Sequence, residues 1–215
     1  MENGDFIKIW YIGRLENGEI FDLTDEETAK ESGIYNPKIK YKHVPIIIGA
    51  KFVIPGLETA LLGMTLGEKK TIIIEPKDAF GNRDPKLVRV VPKSTFKDME
   101  PKQGMVIDFS GIKGRIQSVS AGRVMVDFNN PLAGKKLSYE IEITERIDKP
   151  EQQVGAIFEF LGVENTEISI SGDTVEVKNV KLPRELKERI SSLIIEHVKS
   201  DAKIEKVCFI ETYSK

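Results

Sequence analysis

Two segments that need each other lie far apart in this chain. Lys70-Thr71-Ile72-Ile73-Ile74 reads as a strand stopped by Pro76, and a second strand appears where Leu137, Tyr139, Ile141 and Ile143 alternate with Ser138, Glu140, Glu142 and Thr144. The second run has one apolar and one polar face, so it belongs to a half-buried antiparallel sheet and requires a partner. The connection between them, about Arg83 to Asn130, has a strand pattern of its own: Val88 to Val91, Met105 to Phe109, Arg115 to Val119 and Arg123 to Phe128. Pro85, Pro92, Pro101, Gly104, Gly114 and Gly122 punctuate it. Structureless loops of that length are uncommon in compact domains, so the connection is an inserted all-β subdomain whose ends lie close together.

Upstream, Phe6 to Ile12 alternates, with Ile7, Ile9 and Tyr11 on one face, and ends at Gly13. Ile20-Phe21 returns after Asn17-Gly18, a pair able to supply the positive backbone dihedrals of a tight turn. Leu23 to Lys42, rich in charge and turn formers, is expected to run over the surface before the apolar run ending at Gly49. Val53-Ile54-Pro55-Gly56 leads into a short helix in which Leu57, Ala60 and Leu61 share a face and Gly63 closes the C-terminus. Downstream, Lys149-Pro150 with Glu151-Gln152-Gln153 reads as a polar linker and Ala156 to Leu161 as a strand. Ile168-Ser169-Ile170 and Val175-Glu176-Val177 read as a hairpin around Ser171-Gly172-Asp173. Pro183 opens a helix with Leu186, Ile190, Leu193 and Ile194 at helical spacing, and Ile204 to Ile210 is a last strand. The fold class is therefore α+β: an antiparallel sheet with a short helix, a small inserted all-β subdomain and a small C-terminal α+β domain. The expected division is 1–83 with 130–149, then 84–129, then 150–215.

Composition removes several classes of function. With 40% hydrophobic and 31% charged residues and a net charge of -2, the chain is globular rather than disordered and has no broad field to attract nucleic acid. Its longest apolar runs, such as Val44-Pro45-Ile46-Ile47-Ile48, are too short to span a bilayer. The acidic start Met1-Glu2-Asn3-Gly4-Asp5 lacks the apolar region of a signal peptide, and the single Cys208 cannot form an internal disulfide, so a cytoplasmic location is expected. His43 and His197 are the only histidines, and CxxC, HExxH, GxxxxGK[ST] and nucleophile-elbow patterns are missing. Hydrolase and nucleotide-binding readings lose support, and neither a cofactor nor a metal site is expected. What remains is a set of apolar residues where strands meet loops, Tyr11, Phe21, Val44, Ile46, Ile54, Leu57, Phe80 and Tyr139, with one carboxylate, Asp22, directly after Phe21. On the residues alone, this set reads first as a core.

Ordered motifs change that weighting. Ile9-Trp10-Tyr11-Ile12-Gly13, Leu15-Glu16-Asn17-Gly18 and Phe21-Asp22 are followed by Val53-Ile54-Pro55-Gly56-Leu57-Glu58, Leu61-Leu62-Gly63-Met64, Gly67-Glu68-Lys69 and Ala79-Phe80-Gly81. Taken in order they resemble the FKBP-type peptidyl-prolyl cis/trans isomerases. Arg89-Val90-Val91-Pro92-Lys93 and Asn130-Pro131-Leu132-Ala133-Gly134-Lys135-Lys136-Leu137 are similar to the flanks of the "insert in flap" domain of SlyD-like members, and the likeness runs from about Phe6 to Ile147. The tail resembles the extra domain of long-type archaeal members without a diagnostic motif.

The resemblance implies that the antiparallel sheet is a half-barrel wrapped on the short helix, and that the chain is an isomerase with a chaperone-like insert, acting on unfolded or proline-containing polypeptides. It implies that Tyr11, Phe21, Val44, Ile54, Leu57, Phe80 and Tyr139 line a proline pocket, that Val53 and Ile46 border it, and that the Ile54 N–H holds a substrate carbonyl. Asp22 would sit at the rim, oriented by the Tyr11 hydroxyl; the alternative is a turn-capping Asp22. The family usually has Trp where this chain has Leu57 and Tyr where it has Phe80, whereas Trp10, by strand alternation, faces away from Tyr11. In the insert, Met105, Phe109 and Phe128, with Met99, Val106, Ile107 and Met125, are either a client-binding surface or that subdomain's core. Cys208 and His197 have no ligand spacing that suggests the SlyD nickel tail. A homodimer through the C-terminal domain is a further expectation. The rival readings are a non-catalytic holdase on the same fold and a trigger-factor-like protein, the latter without a basic ribosome-binding segment.

Overall fold

The computed structural model describes residues 1–96, 99–109, 111–163 and 166–211. In chain order the elements are β1 (Phe6–Leu15), β2 (Ile20–Leu23), α1 (Glu26–Glu31), β3 (Val44–Ile47), α2 (Pro55–Leu61), β4 (Lys69–Ile74), β5 (Val88–Pro92), β6 (Val106–Phe109), β7 (Ile112–Ser120), β8 (Arg123–Asp127), β9 (Leu137–Arg146), α3 (Pro150–Phe160), β10 (Glu167–Ser171), β11 (Thr174–Lys178), α4 (Arg184–His197) and β12 (Lys206–Ile210). They form two compact units, Met1–Ile74 with Leu137–Lys215, and Glu75–Lys136.

In the first unit β1 is the axis of a five-stranded antiparallel sheet. One of its edges pairs with β9, which pairs in turn with β4; its other edge is shared by β3, opposite Phe6 to Ile9, and β2, opposite Ile12 to Arg14. The β1–β2 hairpin turns on Gly18 alone, at φ 84°, while Asn17 keeps a negative φ. Leu23 to Lys42 contains α1, whose N-cap Asp25 accepts the Thr28 N–H, and then the exposed stretch 31–40.

Residues 150–160 form α3, correcting the linker and strand expected there. Pro150 opens the helix at a position that needs no N–H, and Val154, Ile157, Phe158 and Leu161 recur at helical spacing. Read as a short apolar run, Ala156 to Leu161 hid that period. The helix buries Val154, Ile157 and Phe158 with Phe6, Ile47 and Ile147 in one cluster, which continues into Val175, Val177, Ile190, Ile194 and Ile204. Buried Gln153 fastens this join: its Nε2 donates to the Ile147 carbonyl at 3.0 Å and its Oε1 accepts the Lys199 N–H at 3.0 Å. β10 and β11 form the expected hairpin, and β12 adds parallel to β11 after the crossover through α4.

The second unit is a four-stranded antiparallel sheet in the order β5-β8-β7-β6. Its core is Ile116, Val124 and Val126, with Val91, Phe96, Met105, Ile107, Phe109, Val119 and Phe128 packed against them. Asp127, 8% exposed, is held by Arg83, by Gln117 Nε2 at 3.0 Å and by the Asn129 backbone N–H at 2.9 Å. Burial, the largest single influence, pushes its carboxyl up, but the Asn129 hydrogen bonds and the Arg83 charge together hold it below the ordinary carboxylate range.

Candidate active site

Three aromatic rings and one acid meet on one face of the first unit's sheet. Tyr139 on β9 lies directly opposite Gly13 on β1 and Ile72 on β4. Its ring lies 5.9 Å from that of Tyr11 and 5.6 Å from that of Phe21, the latter edge-on at 85°. The Tyr11 hydroxyl donates to Asp22 Oδ2 at 2.9 Å, and the Asp22 side chain is exposed while Tyr139 is 3% exposed.

Strict alternation would send Phe21 and Asp22 to opposite faces. A bulge prevents this: Gly13 pairs with Asp22 but the next residue, Arg14, pairs with Ile20, leaving Phe21 as the extra residue of β2. Two consecutive side chains thus serve one site. Gly13 supplies the room, since a Cβ there would lie 2.7 Å from Cζ of Phe21 and 3.1 Å from Cε1 of Tyr139. Thr24, 5% exposed, fixes the strand behind Tyr11: its Oγ1 accepts the Tyr11 N–H at 2.9 Å and its own N–H donates to the Tyr11 carbonyl at 3.0 Å. The sequence pattern marks Gly13 only as a strand end and gives Thr24 no role. The adjacency of Gly13 to the Tyr11 strand and of Thr24 to Phe21-Asp22 was the available signal.

Burial first, and the Asp22 charge second, raise the phenol pKa values of both Tyr11 and Tyr139 above the ordinary tyrosine value. Tyr11 therefore stays a donor to Asp22 throughout the physiological range.

α2 lies against the same face. Gly56 approaches Ile74 so closely that a Cβ would sit 2.4 Å from Cγ2 of Ile74, and Ile74 shares its face with Ile72, the partner of Tyr139. Leu57 in this helix is 3% exposed, and Val53 and Ile54 at its entrance are half-buried. Ile54 is the N-cap and its carbonyl accepts the Leu57 and Glu58 N–H groups, whereas its own N–H has no acceptor among the described residues. Val44 pairs with Ile9, on the face shared with Tyr11, and Ile46, 1% exposed, is part of the core. Trp10 points the other way, under the ammonium of Lys69 at 4.3 Å from its ring centroid. Phe80 belongs to the second unit, half-buried in a turn where the Gly81 N–H donates to the Pro76 carbonyl. Met105, Phe109 and Phe128 are also in that unit and pack on its core.

The family model of FKBP-type peptidyl-prolyl cis-trans isomerases matches residues 1–143. A short-type peptidyl-prolyl cis-trans isomerase of Methanocaldococcus jannaschii is 40% identical over 147 residues, 67% of this chain and 93% of that protein. A probable FKBP-type 16 kDa peptidyl-prolyl cis-trans isomerase of Pseudomonas fluorescens is 31% identical over 61% of this chain and 82% of its own length. The SlyD isomerase of Helicobacter pylori is 32% identical over 57% of this chain and 69% of its own. The chain belongs to the FKBP-type peptidyl-prolyl cis/trans isomerase family, and its enzyme class is that of the family.

Proposed function

We propose that the face bearing Tyr11, Phe21, Asp22 and Tyr139 is where an X-Pro bond is twisted, with Ile54, Leu57, Val53 and Val44 completing the apolar surface. The observation that carries this reading is the pairing of an exposed carboxylate, fixed by the Tyr11 hydroxyl, with a three-ring aromatic wall. Rotating a peptide bond meets a barrier of about 18–20 kcal/mol because resonance must be lost. The twisted imide has less charge separation than the planar one, so a surface that strips water from the planar form favours the twisted form preferentially. The N–H of Ile54, without an acceptor among the described residues, is suited to hold the substrate carbonyl during rotation. No covalent step or cofactor enters. Turnover of a short X-Pro peptide by Asp22→Ala, Phe21→Ala and Tyr139→Ala is expected to fall at least about tenfold, each tenfold being ~1.4 kcal/mol of transition-state stabilisation. Full turnover in all three, with intact thermal unfolding, ends the assignment.

We further infer that residues 84–129 capture unfolded chains and deliver them to the isomerase surface. Support comes from the apolar side chains this segment leaves in water: Val90 at 59%, Met99 at 43%, Val106 at 64%, Ile112 at 61% and Met125 at 38% exposure. Val106 lies on the edge strand β6 and Val90 on the edge strand β5, where an extended client could add as a further strand. Deleting Pro85 to Asn129 is expected to abolish suppression of aggregation of an unfolded client while sparing much of the short-peptide turnover. Undiminished suppression would remove the role.

A further inference from the structure

We propose that the insert selects clients in which an apolar side chain lies beside a carboxylate, with Arg89 as the residue that reads the charge. This deepens the capture reading and rests on it. A cavity of about 360 Å3 opens on the inner face of the second unit's sheet, lined by Leu87, Arg89, Val91, Phe109, Ile112 and Phe128. Five of the six are apolar, and the volume is of the size that takes a large side chain or small ligand. Ile112, 61% exposed, marks an accessible mouth.

Arg89 is out of place in such a lining. It pairs across the sheet with Val126, which is fully buried, so it starts on the inner face beside the core rather than on the polar one. Its guanidinium lies over the Phe128 ring, 6.0 Å from the centroid, and forms no salt bridge among the described residues. The nearest acid in sequence on the neighbouring strand, Asp127, pairs with Val88 and Arg115 on the opposite face and is already engaged by Arg83, Gln117 and Asn129. An arginine held over an aromatic ring at cation–π distance keeps its planar donors free for a carboxylate.

The charge of the whole chain points the same way. Residues 75–136 hold twelve Lys and Arg against seven Asp and Glu, a net +5, whereas the remaining residues hold twenty against twenty-seven, a net -7. An acidic segment is therefore drawn to the insert and turned away from the rest of the molecule.

The test uses the full chain and proline-free, dye-labelled peptides sharing a Leu-Phe-Leu centre, one flanked by Glu and one by Lys, with affinities read by fluorescence anisotropy. The Glu-flanked peptide is expected to bind about tenfold more tightly at low salt, with the preference shrinking toward unity above ~0.5 M salt as charges are screened. Arg89→Gln, at an exposed position, is expected to reduce the preference to within about twofold while leaving Tm unchanged, and Ile112→Ser to weaken both peptides alike. Equal binding of the two peptides, or a preference that survives Arg89→Gln, overturns the selectivity and leaves capture standing. Binding of neither peptide overturns the capture reading and this inference together.

Discussion

At Tyr11 burial and a neighbouring carboxylate act in the same direction, since both disfavour the phenolate. A group whose folded pKa is raised adds stability that is complete below its unfolded pKa, near 10 for tyrosine, and is lost as pH rises through the folded value. Tyr11 and Tyr139 both carry that shift, so unfolding free energy is expected to decline above pH ~10, where the unfolded phenols ionise and the folded ones resist. Absorbance titration should show the Tyr11 and Tyr139 phenols ionising above the ordinary tyrosine value, and Tyr11→Phe should remove one of these late steps. Ionisation of both near pH 10 in the folded protein would refute the burial argument. The Tyr11–Asp22 contact has its own signature. If Asp22 acts only as the tyrosine orients it, Tyr11→Phe and Asp22→Ala should each lower kcat/KM, and the double variant should lose little more than the worse single one. Additive losses would mean that the two residues act separately.

Among the elements, β2 turns a readable motif into a site. Phe21-Asp22 could be read from the sequence as a pair, but a regular strand would send the two side chains to opposite faces, and only the bulge against Gly13 and Arg14 brings both to Tyr11 and Tyr139. Gly13→Ala tests that geometry: with Phe21 and Tyr139 within 3.1 Å of the new methyl, a cost of roughly 1–3 kcal/mol and loss of turnover are expected. Wild-type Tm and activity in that variant would show that the rings need no gap. Strand β9 was legible because one buried face imposes a period of two, β1 from the spacing of Ile7, Ile9 and Tyr11, β4 from a β-branched run stopped by Pro76, and α2 because Pro55 and Gly63 bracket a short apolar stripe. α3 was not, because Ala156 to Leu161 is apolar at nearly every step and a short run of that kind lacks a distinguishing period. Bulges and close approaches are set by how strands pair, which local pattern does not carry.

For the whole molecule, the decisive feature is a core that crosses the expected domain boundary. Phe6, Ile47 and Ile147, each at most 4% exposed, belong to the same buried cluster as Val154, Ile157, Phe158 and residues up to Ile204. Removing residues 150–215 would strip cover from those three side chains at up to about 1.5–3 kcal/mol each, an upper estimate because they also pack with one another and unfolded chains already bury some surface. It would also take away Lys199, which contacts buried Asp5 at 3.3 Å. Against a typical total of about 5–15 kcal/mol, such a loss leaves little or no net stability. Residues 1–149 are therefore expected to unfold at a sharply lower denaturant midpoint than the full chain, or not to fold. Phe158→Ala, which keeps the chain whole and sits at 1% exposure, should cost roughly 3–5 kcal/mol and shift the unfolding of both sheets of the first unit together. Hydrogen exchange can follow β1 and β11 separately in that variant. Weakened protection in β11 with β1 unchanged, alongside a stable 1–149 fragment, would show two independent domains instead of one shared core.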